Sequence, residues 1–378
     1  MPRAAIFNGP GQPLAVEEID VGSPQQHEVK VQIVGAGVCH SDLSVTNGTM
    51  TTAAPSILGH EGAGIVEEVG PGVAALAPGD HVVVSWVPQC GECFYCDRGQ
   101  PYLCEVGSPA MSAGSMLDGT YRAKLRGEPV PQYCAVGVFA ETSVVAETSA
   151  VKVDPAIDLR LAALVGCGVL TGFGAAVNTA ELRPGDNVAV IGCGGVGLNV
   201  IQGARVQGAE RIIAIDLSEK KLALAKQLGA TDLISAEGAD VVEAVRELTV
   251  GRGVDAAFEV IGLKATAEQA LAMTRNGGET ILVGIAGADV SMEVPIFRGL
   301  VRYGKSLKGC FYGSSDVRRD VPRLVEAYLD GDLKLEPLAS SFVPLERIND
   351  AFAALDAGEV TRSVVVFGDE ASNGAENA

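Results

Sequence analysis

Short runs of alternating or wholly apolar residues, separated by glycine and proline turns, fill much of the first 153 residues. A period of two is typical of strands buried on one face, and the turn residues keep each strand short. The pattern predicts a β-rich region with strands at 4–7, 14–18, 28–34, 62–69, 81–87 and 136–153. Residues 105–135 lack apolar periodicity and are rich in glycine, serine and proline, so we expect a long surface excursion there.

The pattern changes after about residue 160, where apolar strands alternate with segments of helical spacing. Strands are predicted at 186–191, 211–215, 255–259, 279–283 and 306–309, with helices at 195–207 and 219–228. Such alternation predicts an α/β fold class with a doubly wound parallel sheet. Helices at 317–330 and 345–357 and a strand at 363–367 follow, and the acidic tail from Asp369 is expected to be frayed.

The composition is that of a compact α/β protein, with 47% hydrophobic residues and 47 glycines. The formal net charge of −19 repels phosphate groups, which argues against nucleic acid and anionic membranes as partners. No apolar run approaches the roughly 20 residues of a membrane helix, and the first residues show no signal-peptide core. We therefore expect a cytoplasmic protein whose nine cysteines stay reduced as metal ligands or buried thiols.

Four cysteines form a cluster with the spacing Cys90-x-x-Cys93-x-x-Cys96-x7-Cys104, within a segment, residues 88–104, that we name the cysteine lobe. Spacings of two residues let one loop direct several thiolates at one ion, and four sulfurs suit a closed tetrahedral zinc site. An iron–sulfur cluster and unrelated buried thiols are the alternatives. A fully ligated ion leaves no place for substrate, so the expected role of the lobe is structural.

A second candidate metal site combines residues that lie far apart in the sequence. Cys39 follows a strand-like stretch, His60 begins another, and Cys167 stands between two glycines. Three such ligands leave a fourth position open for water or substrate, as a Lewis-acid zinc requires. Taken singly, a buried cysteine is usually a small hydrophobe and a histidine a structural residue, so these residues alone leave both interpretations open.

A glycine loop follows the predicted strand 186–191 and opens the predicted helix. Its Gly192-x-Gly194-x-x-Gly197 spacing lets the backbone approach a pyrophosphate at a helix N-terminus. Asp216 ends the next strand, where a carboxylate accepts ribose hydroxyls and repels a 2′-phosphate, which favours NAD over NADP. A helix cap before residues 217–218 is the alternative role of Asp216. The loop residues assigned to the cofactor are Gly192, Gly194, Gly195, Val196 and Gly197.

The segment Gly59-His60-Glu61-x2-Gly64-x5-Gly70-x2-Val73 resembles the zinc signature of the medium-chain dehydrogenases. The cysteine lobe is similar to the structural-zinc lobe of that family, and Gly166-Cys167-Gly168 to its third catalytic ligand. The chain length and the excursion at 105–135 are closest to the liver-type and class III alcohol dehydrogenases. The resemblance implies a GroES-like β-rich catalytic domain, residues 1–168 and 312–378, and a Rossmann cofactor domain, residues 169–311.

The resemblance also implies the cofactors, which are NAD and two zinc ions per chain. Cys39, His60 and Cys167 would hold the catalytic zinc, and the cysteine lobe the structural one. Glu61 would lie behind the catalytic zinc, where it could serve as a transient ligand. Asp42 would accept a hydrogen bond from His60 and so fix its tautomer.

Ser41, by the same resemblance, would bond the alcohol oxygen and begin a proton relay, while a helix N-cap is its alternative role. Two positions depart from the liver-type pattern. His40 stands where that pattern often has an arginine on the pyrophosphate, and Ser44 where it often has a histidine that ends the relay. The further implied cofactor contacts are Thr171, on an expected helix at 169–179, and Lys221, Ile285 and Arg362.

The substrate pocket implied by the resemblance is lined by Trp86, Leu117, Tyr133, Cys134, Phe139, Ile285 and Phe311. Such an apolar, partly aromatic wall suits medium-chain or aromatic primary alcohols, oxidised to aldehydes by hydride transfer from a zinc alkoxide to NAD. A thiol-dependent formaldehyde dehydrogenase is the alternative, although Ser108 stands where that branch usually has an arginine. A non-catalytic NAD-binding protein is a more distant alternative function. Alternating strands at 288–302 resemble the family's subunit-joining edge, so a homodimer is expected, with a tetramer as the alternative.

Overall fold

The computed structural model describes residues 1–368, and the tail expected to be frayed lies outside the described residues. The strands are β1 (Arg3–Phe7), β2 (Ala15–Glu18), β3 (Asp20–Val21), β4 (Glu28–Gly37), β5 (Ser56–Ile57), β6 (Glu61–Val69), β7 (His81–Val84), β8 (Ala123–Leu125), β9 (Glu128–Pro129), β10 (Thr142–Ala146), β11 (Ala150–Lys152), β12 (Asn187–Ile191), β13 (Arg211–Asp216), β14 (Asp232–Ser235), β15 (Val254–Glu259), β16 (Thr274–Leu282), β17 (Ser306–Gly309), β18 (Ala339–Pro344) and β19 (Arg362–Val366). The α-helices are α1 (His40–Thr46), α2 (Gly107–Ala113), α3 (Leu159–Ala162), α4 (Gly168–Gly174), α5 (Gly195–Val206), α6 (Glu219–Leu228), α7 (Val241–Leu248), α8 (Lys264–Met273), α9 (Val317–Leu329) and α10 (Ile348–Asp356).

The described backbone forms two compact units, the first of Met1–Gly168 with residues 316–368, the second of Val169–Ser315. The first unit is built on a mixed sheet with the order β11-β7-β6-β4-β19-β18, and β10 also pairs with β4. Val29, Val31 and Ile33 alternate along β4 and are fully buried, which gives this long strand its core face. Because β19 pairs antiparallel with the end of β4, the last strand within residues 1–368 lies beside the residues that lead into Cys39.

The second unit contains a six-stranded sheet with the order β14-β13-β12-β15-β16-β17, parallel throughout. Its central strand β12 is buried from Val188 to Ile191, as expected for a strand covered on both faces. The predicted parallel sheet is therefore confirmed. Ile191 lies in register with Ile215 on one side and Glu259 on the other, so the carboxyl ends of β12, β13 and β15 share one edge.

Several predicted elements differ from the structure. The predicted strand 136–153 is wrong as one element, because a left-handed Gly137 and a 3₁₀ turn at Glu147–Ser149 leave only β10 and β11. The excursion at 105–135 contains α2 and the β8–β9 pair. The expected helix 169–179 is α4 followed by a π-helical segment, Ala175–Thr179. The strands expected at 288–302 are also wrong, since a π-helical segment at Ile296–Leu300 leads there into a 3₁₀ turn, Val301–Tyr303.

Within residues 1–368, no single helix is both long and apolar enough to cross a membrane. One bent pair of helical segments, Leu159–Gly166 and Gly168–Thr179, meets the criterion of length and composition when the two are taken together.

Candidate metal centres and cofactor loop

The structure brings Cys39, His60, Glu61 and Cys167 together in the first unit. One potential ligand atom from each of the four buried side chains lies within 4.8 Å of the others. Cys39 directly precedes α1, while Glu61 begins β6 with His60 just before it. Cys167 stands between the 3₁₀ turn Ala163–Gly166 and α4, where the chain leaves helical geometry. Residues as distant in sequence as these converge only through the fold, and two thiolates and an imidazole are the donors that zinc prefers.

Asp42 orients the imidazole ring of His60 through its Nδ1 atom. Its fully buried carboxylate lies 3.2 Å from Nδ1 of His60 and accepts hydrogen bonds from the backbone N–H groups of Gly59, at 3.1 Å, and Cys39, at 3.4 Å. A carboxylate can only accept here, so Nδ1 donates to Asp42 and Nε2 is the ring nitrogen that can bind a metal once it has lost its proton. Cys39 occupies the N-cap position of α1, and Asp42 reaches back to it, so the N-cap role considered for Ser41 is wrong.

The close packing of this cluster shifts the pKa values of its side chains in opposite directions. A hydrogen bond from Cys167, together with the Arg362 charge, holds the pKa of the Cys39 thiol well below its ordinary value. The same hydrogen bond and burial raise the pKa of Cys167. Burial disfavours the charged form of His60, but the charges and hydrogen bonds of Asp42 and Cys39 together outweigh burial and raise the pKa of His60. A metal must displace the protons on Cys167 and His60, so its affinity rises with pH.

The buried carboxylate of Glu61 indicates whether this cluster suits a metal ion. Both of its carboxylate oxygens are buried without a hydrogen-bond partner, and the guanidinium of Arg362 comes only to 3.7 Å from Oε1, so a second cation would lower the free-energy cost of burying this carboxylate. Burial raises the pKa of Glu61 to about 8. Space for this side chain depends on Gly37, since a Cβ there would lie 2.3 Å from Oε2. The orphaned carboxylate and the soft donor set therefore fit a zinc ion.

Arg362, at the start of β19, lies against the same cluster. The buried guanidinium places Nη2 3.6 Å from Sγ of Cys39 and 3.7 Å from Oε1 of Glu61. Burial opposes its charge, but the neighbouring Cys39 and Glu61 raise the pKa of Arg362 above its ordinary value. Its charge therefore stabilises the thiolate of Cys39, a contact that the sequence did not indicate for this residue.

The residues predicted to line the substrate pocket take different positions in the structure. The rings of Trp86 and Tyr133 meet the His60 ring edge-on, with centroids 6.0 and 5.7 Å away. Cys134 is the next residue after Tyr133, and burial raises the pKa of its thiol to about 12. Phe139 has no exposed surface and packs edge-on against Phe352 in the hydrophobic core. Three other residues expected to line the pocket are exposed: Leu117, Ile285 and Phe311.

The cysteine lobe forms the second cluster of potential metal ligands, and its four sulfurs lie within 4.8 Å of one another. The Sγ distances of 4.0 Å between Cys90 and Cys96 and 3.9 Å between Cys93 and Cys104 exclude disulfides. Backbone N–H groups, first that of Cys96, lower the pKa of Cys93 to about 6. Fully buried Cys104 accepts hydrogen bonds from the backbone N–H groups of Cys90 and Gly107, as a thiolate would.

The glycine loop of the second unit has the geometry expected for close approach of a phosphate. Gly192 has a φ of +100°, and a Cβ on Gly197 would lie 1.8 Å from the carbonyl oxygen of Gly192. Gly194 caps α5 without a side-chain hydrogen bond, so the first N–H groups of the helix can serve an anion. A Cβ on Gly194 would meet nothing within 4 Å, which leaves room at this edge of the sheet.

Asp216 ends β13 beside this loop. One carboxylate oxygen accepts a hydrogen bond from the N–H of Cys193 at 2.7 Å, and the other accepts one from the N–H of Ser218 at 2.9 Å. Ser218 itself is the N-cap of α6, where its hydroxyl accepts from the N–H of Lys221, so the alternative role of Asp216 as the helix cap is wrong. Asp216 therefore also fixes the first turn of the glycine loop.

Glu259 is a buried carboxylate at the same sheet edge that the sequence interpretation missed. Its Oε1 accepts hydrogen bonds from the N–H groups of Ile261 and Gly262, at 2.9 and 2.8 Å, and from the hydroxyl of Thr266, at 2.7 Å. It ties the loop after β15 to the start of α8. An acidic residue directly after the buried apolar run 256–258 is the signal that could have found it.

Comparison with known proteins agrees with this geometry. Residues 25–155 match the alcohol dehydrogenase GroES-like domain family and residues 195–329 the zinc-binding dehydrogenase family. An alcohol dehydrogenase zinc-binding domain protein from Burkholderia ambifaria is 35% identical, with a TM-score of 0.92 over 97% of this chain and 99% of that one. Benzyl alcohol dehydrogenase from Acinetobacter calcoaceticus is 31% identical, with the same TM-score and coverage. A zinc-binding dehydrogenase from Sinorhizobium meliloti 1021, bound to NADP, is 25% identical, with a TM-score of 0.81 over 97% of this chain and 99% of that one.

Proposed function

Because the chain belongs to the zinc-binding medium-chain alcohol dehydrogenase family, we propose that it oxidises medium-chain or aromatic primary alcohols to aldehydes with NAD, and catalyses the reverse reaction. The observation that carries this proposal is the buried donor set of Cys39, His60 and Cys167. Three such donors leave one zinc position open for an alcohol oxygen. The proposal includes a place in the liver-type branch, which the cysteine lobe and the excursion at 105–135 support.

Several residues of the first unit would take part in alcohol oxidation, each with a different role. A zinc ion bound by this donor set acts as a Lewis acid and makes an alcohol oxygen more acidic. Asp42 would keep the Nε2 lone pair of His60 directed at the ion. Ser41, whose hydroxyl lies 3.7 Å from Sγ of Cys39, would accept a hydrogen bond from the alcohol and pass its own proton on to water, as the first member of a proton relay. Glu61 would compensate the cation from behind.

A second zinc ion would be held by the cysteine lobe, which gives two zinc ions per chain. The support for this proposal is the convergence of four sulfurs with N–H donors on Cys104. Four protein ligands close a tetrahedral zinc, so this ion would stabilise the lobe and take no part in the reaction.

NAD is the dinucleotide that the second unit suits best. The glycine loop would bind the pyrophosphate, and Asp216 would accept the adenosine ribose hydroxyls and repel a 2′-phosphate. The similar zinc-binding dehydrogenase from Sinorhizobium meliloti binds NADP, so the preference must be tested in this chain. The remaining proposed cofactor contacts are His40, Thr171, Lys221, Ile285 and Arg362.

Replacing Asp216 by asparagine is expected to lower kcat/KM for NAD about tenfold, the cost of one charge-assisted hydrogen bond. The ratio of kcat/KM for NAD to that for NADP should fall as well, because the amide no longer repels a 2′-phosphate. Steady-state kinetics with both cofactors measure the effect. Asp232→Asn, at the start of β14 on the same sheet, is the matched control. An unchanged NAD-to-NADP ratio in Asp216→Asn would contradict the role of Asp216.

Trp86, the single tryptophan of the chain, is proposed to exclude branched substrates from the space beside His60. We expect Trp86→Ala to raise kcat/KM for secondary alcohols relative to primary ones by about tenfold or more, since one lost pocket contact is worth roughly 1–3 kcal/mol. Paired assays with 1-butanol and 2-butanol measure this ratio. Phe94→Ala, which truncates an exposed aromatic in the cysteine lobe, serves as the control, and an identical substrate profile in Trp86→Ala would refute the proposal.

A substrate panel tests the function as a whole. Purified protein is assayed with free NAD and ethanol, hexanol, benzyl alcohol or formaldehyde, the last with and without glutathione or another thiol, while the nicotinamide absorption band is followed. Oxidation of the alcohols without thiol supports the proposal. Activity confined to formaldehyde with a thiol would establish the alternative reaction, and NAD binding without turnover of any substrate would establish a non-catalytic NAD-binding protein.

A homodimer is proposed for the assembled protein. β17 is an edge strand of the parallel sheet, and the segment before it exposes large apolar side chains. These are Ile285, Val290, Ile296, Phe297, Val301 and Tyr303. Exposed apolar side chains clustered in one segment are typical of subunit contacts, although a tetramer would use the same segment. A cytoplasmic location, with a small alcohol or aldehyde as the partner, is part of the proposal. The net charge of −19 argues against nucleic acid and anionic membranes as partners.

A further inference from the structure

The turn Tyr133–Ala135 has a backbone that its residues do not favour. Cys134 and Ala135 are consecutive, neither is glycine, and their φ angles are +54° and +61°. Side chains with a Cβ clash with the backbone in this left-handed region, so both residues are strained. Such strain persists only where neighbouring structure imposes it, and it is concentrated at functional sites.

Gln132 imposes this conformation. Its side chain is 4% exposed, and its Nε2 lies 3.0 Å from the carbonyl oxygen of Val136, 2.7 Å from Oγ of Ser143 and 3.1 Å from the carbonyl oxygen of Val144. Ser143 also donates a hydrogen bond to the carbonyl of Val136. The amide therefore ties the end of the turn to β10.

The backbone of Gln132 holds the other end of the turn. Its N–H donates to the carbonyl oxygen of Gly114 at 2.9 Å, and its own carbonyl accepts from the N–H of Ala135 at 2.8 Å. A Cβ on Gly137 would lie 2.9 Å from the Cβ of Gln132, so the chain after the turn passes directly over this side chain. The turn is thus fixed at both ends by one residue.

The clamped turn forms part of the wall around the catalytic cluster. Tyr133 meets the His60 ring edge-on, at a centroid distance of 5.7 Å, and Trp86 meets it from another direction. Cys134 is half-buried and packs against the hydrophobic core. A change of φ at Cys134 or Ala135 would move these side chains relative to His60.

We propose that Gln132 is a positioning residue that sets the alcohol specificity, because it holds the strained turn Tyr133–Ala135 with Tyr133 against His60. The inference rests on the proposed alcohol oxidation and adds a specificity element to the same site. Without the amide donors, Cys134 and Ala135 relax toward ordinary backbone angles and the wall beside His60 loosens.

Gln132→Met tests the clamp, because methionine has a similar length and no donor, and Ser143→Ala is the milder variant that removes one link if the first does not fold. We expect the ratio of kcat/KM for benzyl alcohol to that for ethanol to change at least fivefold. Acrylamide should quench Trp86 fluorescence more strongly in zinc-loaded and metal-free protein alike. Adding Ala135→Gly should restore both values toward those of the parent protein, since glycine adopts a positive φ without strain.

Equal losses for both alcohols, with unchanged quenching, would assign Gln132 a structural role only and overturn the proposal. A double variant that keeps the altered ratio and the stronger quenching would also overturn it, because the effect would then not pass through the strained turn. If the parent protein oxidises neither alcohol, the proposed function fails. The quenching of Trp86 and its rescue by Ala135→Gly then decide the role of the clamp by themselves.

Discussion

Replacing His60 by alanine is expected to lower kcat/KM for alcohol oxidation at least about a thousandfold, because a catalytic metal contributes several kcal/mol of transition-state stabilisation. The variant removes one of three proposed protein ligands and leaves the buried carboxylate of Asp42 without its imidazole. We expect it to bind one zinc ion per chain, in the cysteine lobe, whereas the parent protein is proposed to bind two, one in each cluster. Steady-state kinetics and elemental analysis of the purified protein measure both effects.

Two further variants make this result interpretable. Asp42→Asn keeps all three ligands but weakens the orientation of the imidazole, so we expect a smaller loss, roughly 10–100-fold in activity or zinc affinity. His27→Ala removes an exposed histidine and should leave zinc content and activity unchanged. Full activity or two zinc ions in His60→Ala would show that this cluster is not the catalytic metal site.

Replacing Cys104 by serine is expected to remove the second zinc ion and to destabilise the protein by several kcal/mol, as the loss of a structural metal does. Cys104 is the most buried of the four lobe cysteines and accepts two backbone hydrogen bonds. A fall in Tm on the order of 10 °C would follow from that free energy. Protein that remains folded should keep its activity, because the lobe has a ligand set of its own.

Cys310→Ser is the matched control for the lobe, since Cys310 belongs to neither of the two clusters. Thermal unfolding and elemental analysis should find it close to the parent protein. Iron and sulfide in the parent protein would establish the iron–sulfur alternative. Unchanged zinc content and Tm in Cys104→Ser would show that the lobe holds no metal.

Much of this architecture could be predicted because its signals are local. The alternation after residue 160 depends on the periods of strands and helices, which neighbouring residues express directly. Spacings of two residues brought Cys90, Cys93 and Cys96 into one loop whatever the remaining fold. Three elements of the second unit were missed, β14, α7 and α8. β14 has a single buried residue, whereas α7 places Val241 and Val245 on one buried face and could have been predicted from its helical spacing.

Other predictions failed where packing decided the backbone. The apolar run at 136–153 has strand composition, yet the left-handed Gly137 and the turn at Glu147–Ser149 divide it. Phe139 was expected in the substrate wall from the family resemblance, and the structure packs it against Phe352 in the core. Composition cannot distinguish an aromatic side chain of the core from one of a pocket.

The sequence by itself determined the α/β class, the parallel sheet, the glycine loop and the two sets of candidate ligands, because each depends on short-range pattern or on residue chemistry. Only the tertiary structure decided that Arg362 lies beside Cys39, that Asp216 holds the glycine loop and that Gln132 clamps the turn at Tyr133. Arg362 and Cys39 are separated by 323 residues and meet because β19 pairs with β4. Contacts of that range leave no periodic or local trace in a sequence, since strand pairing alone creates them.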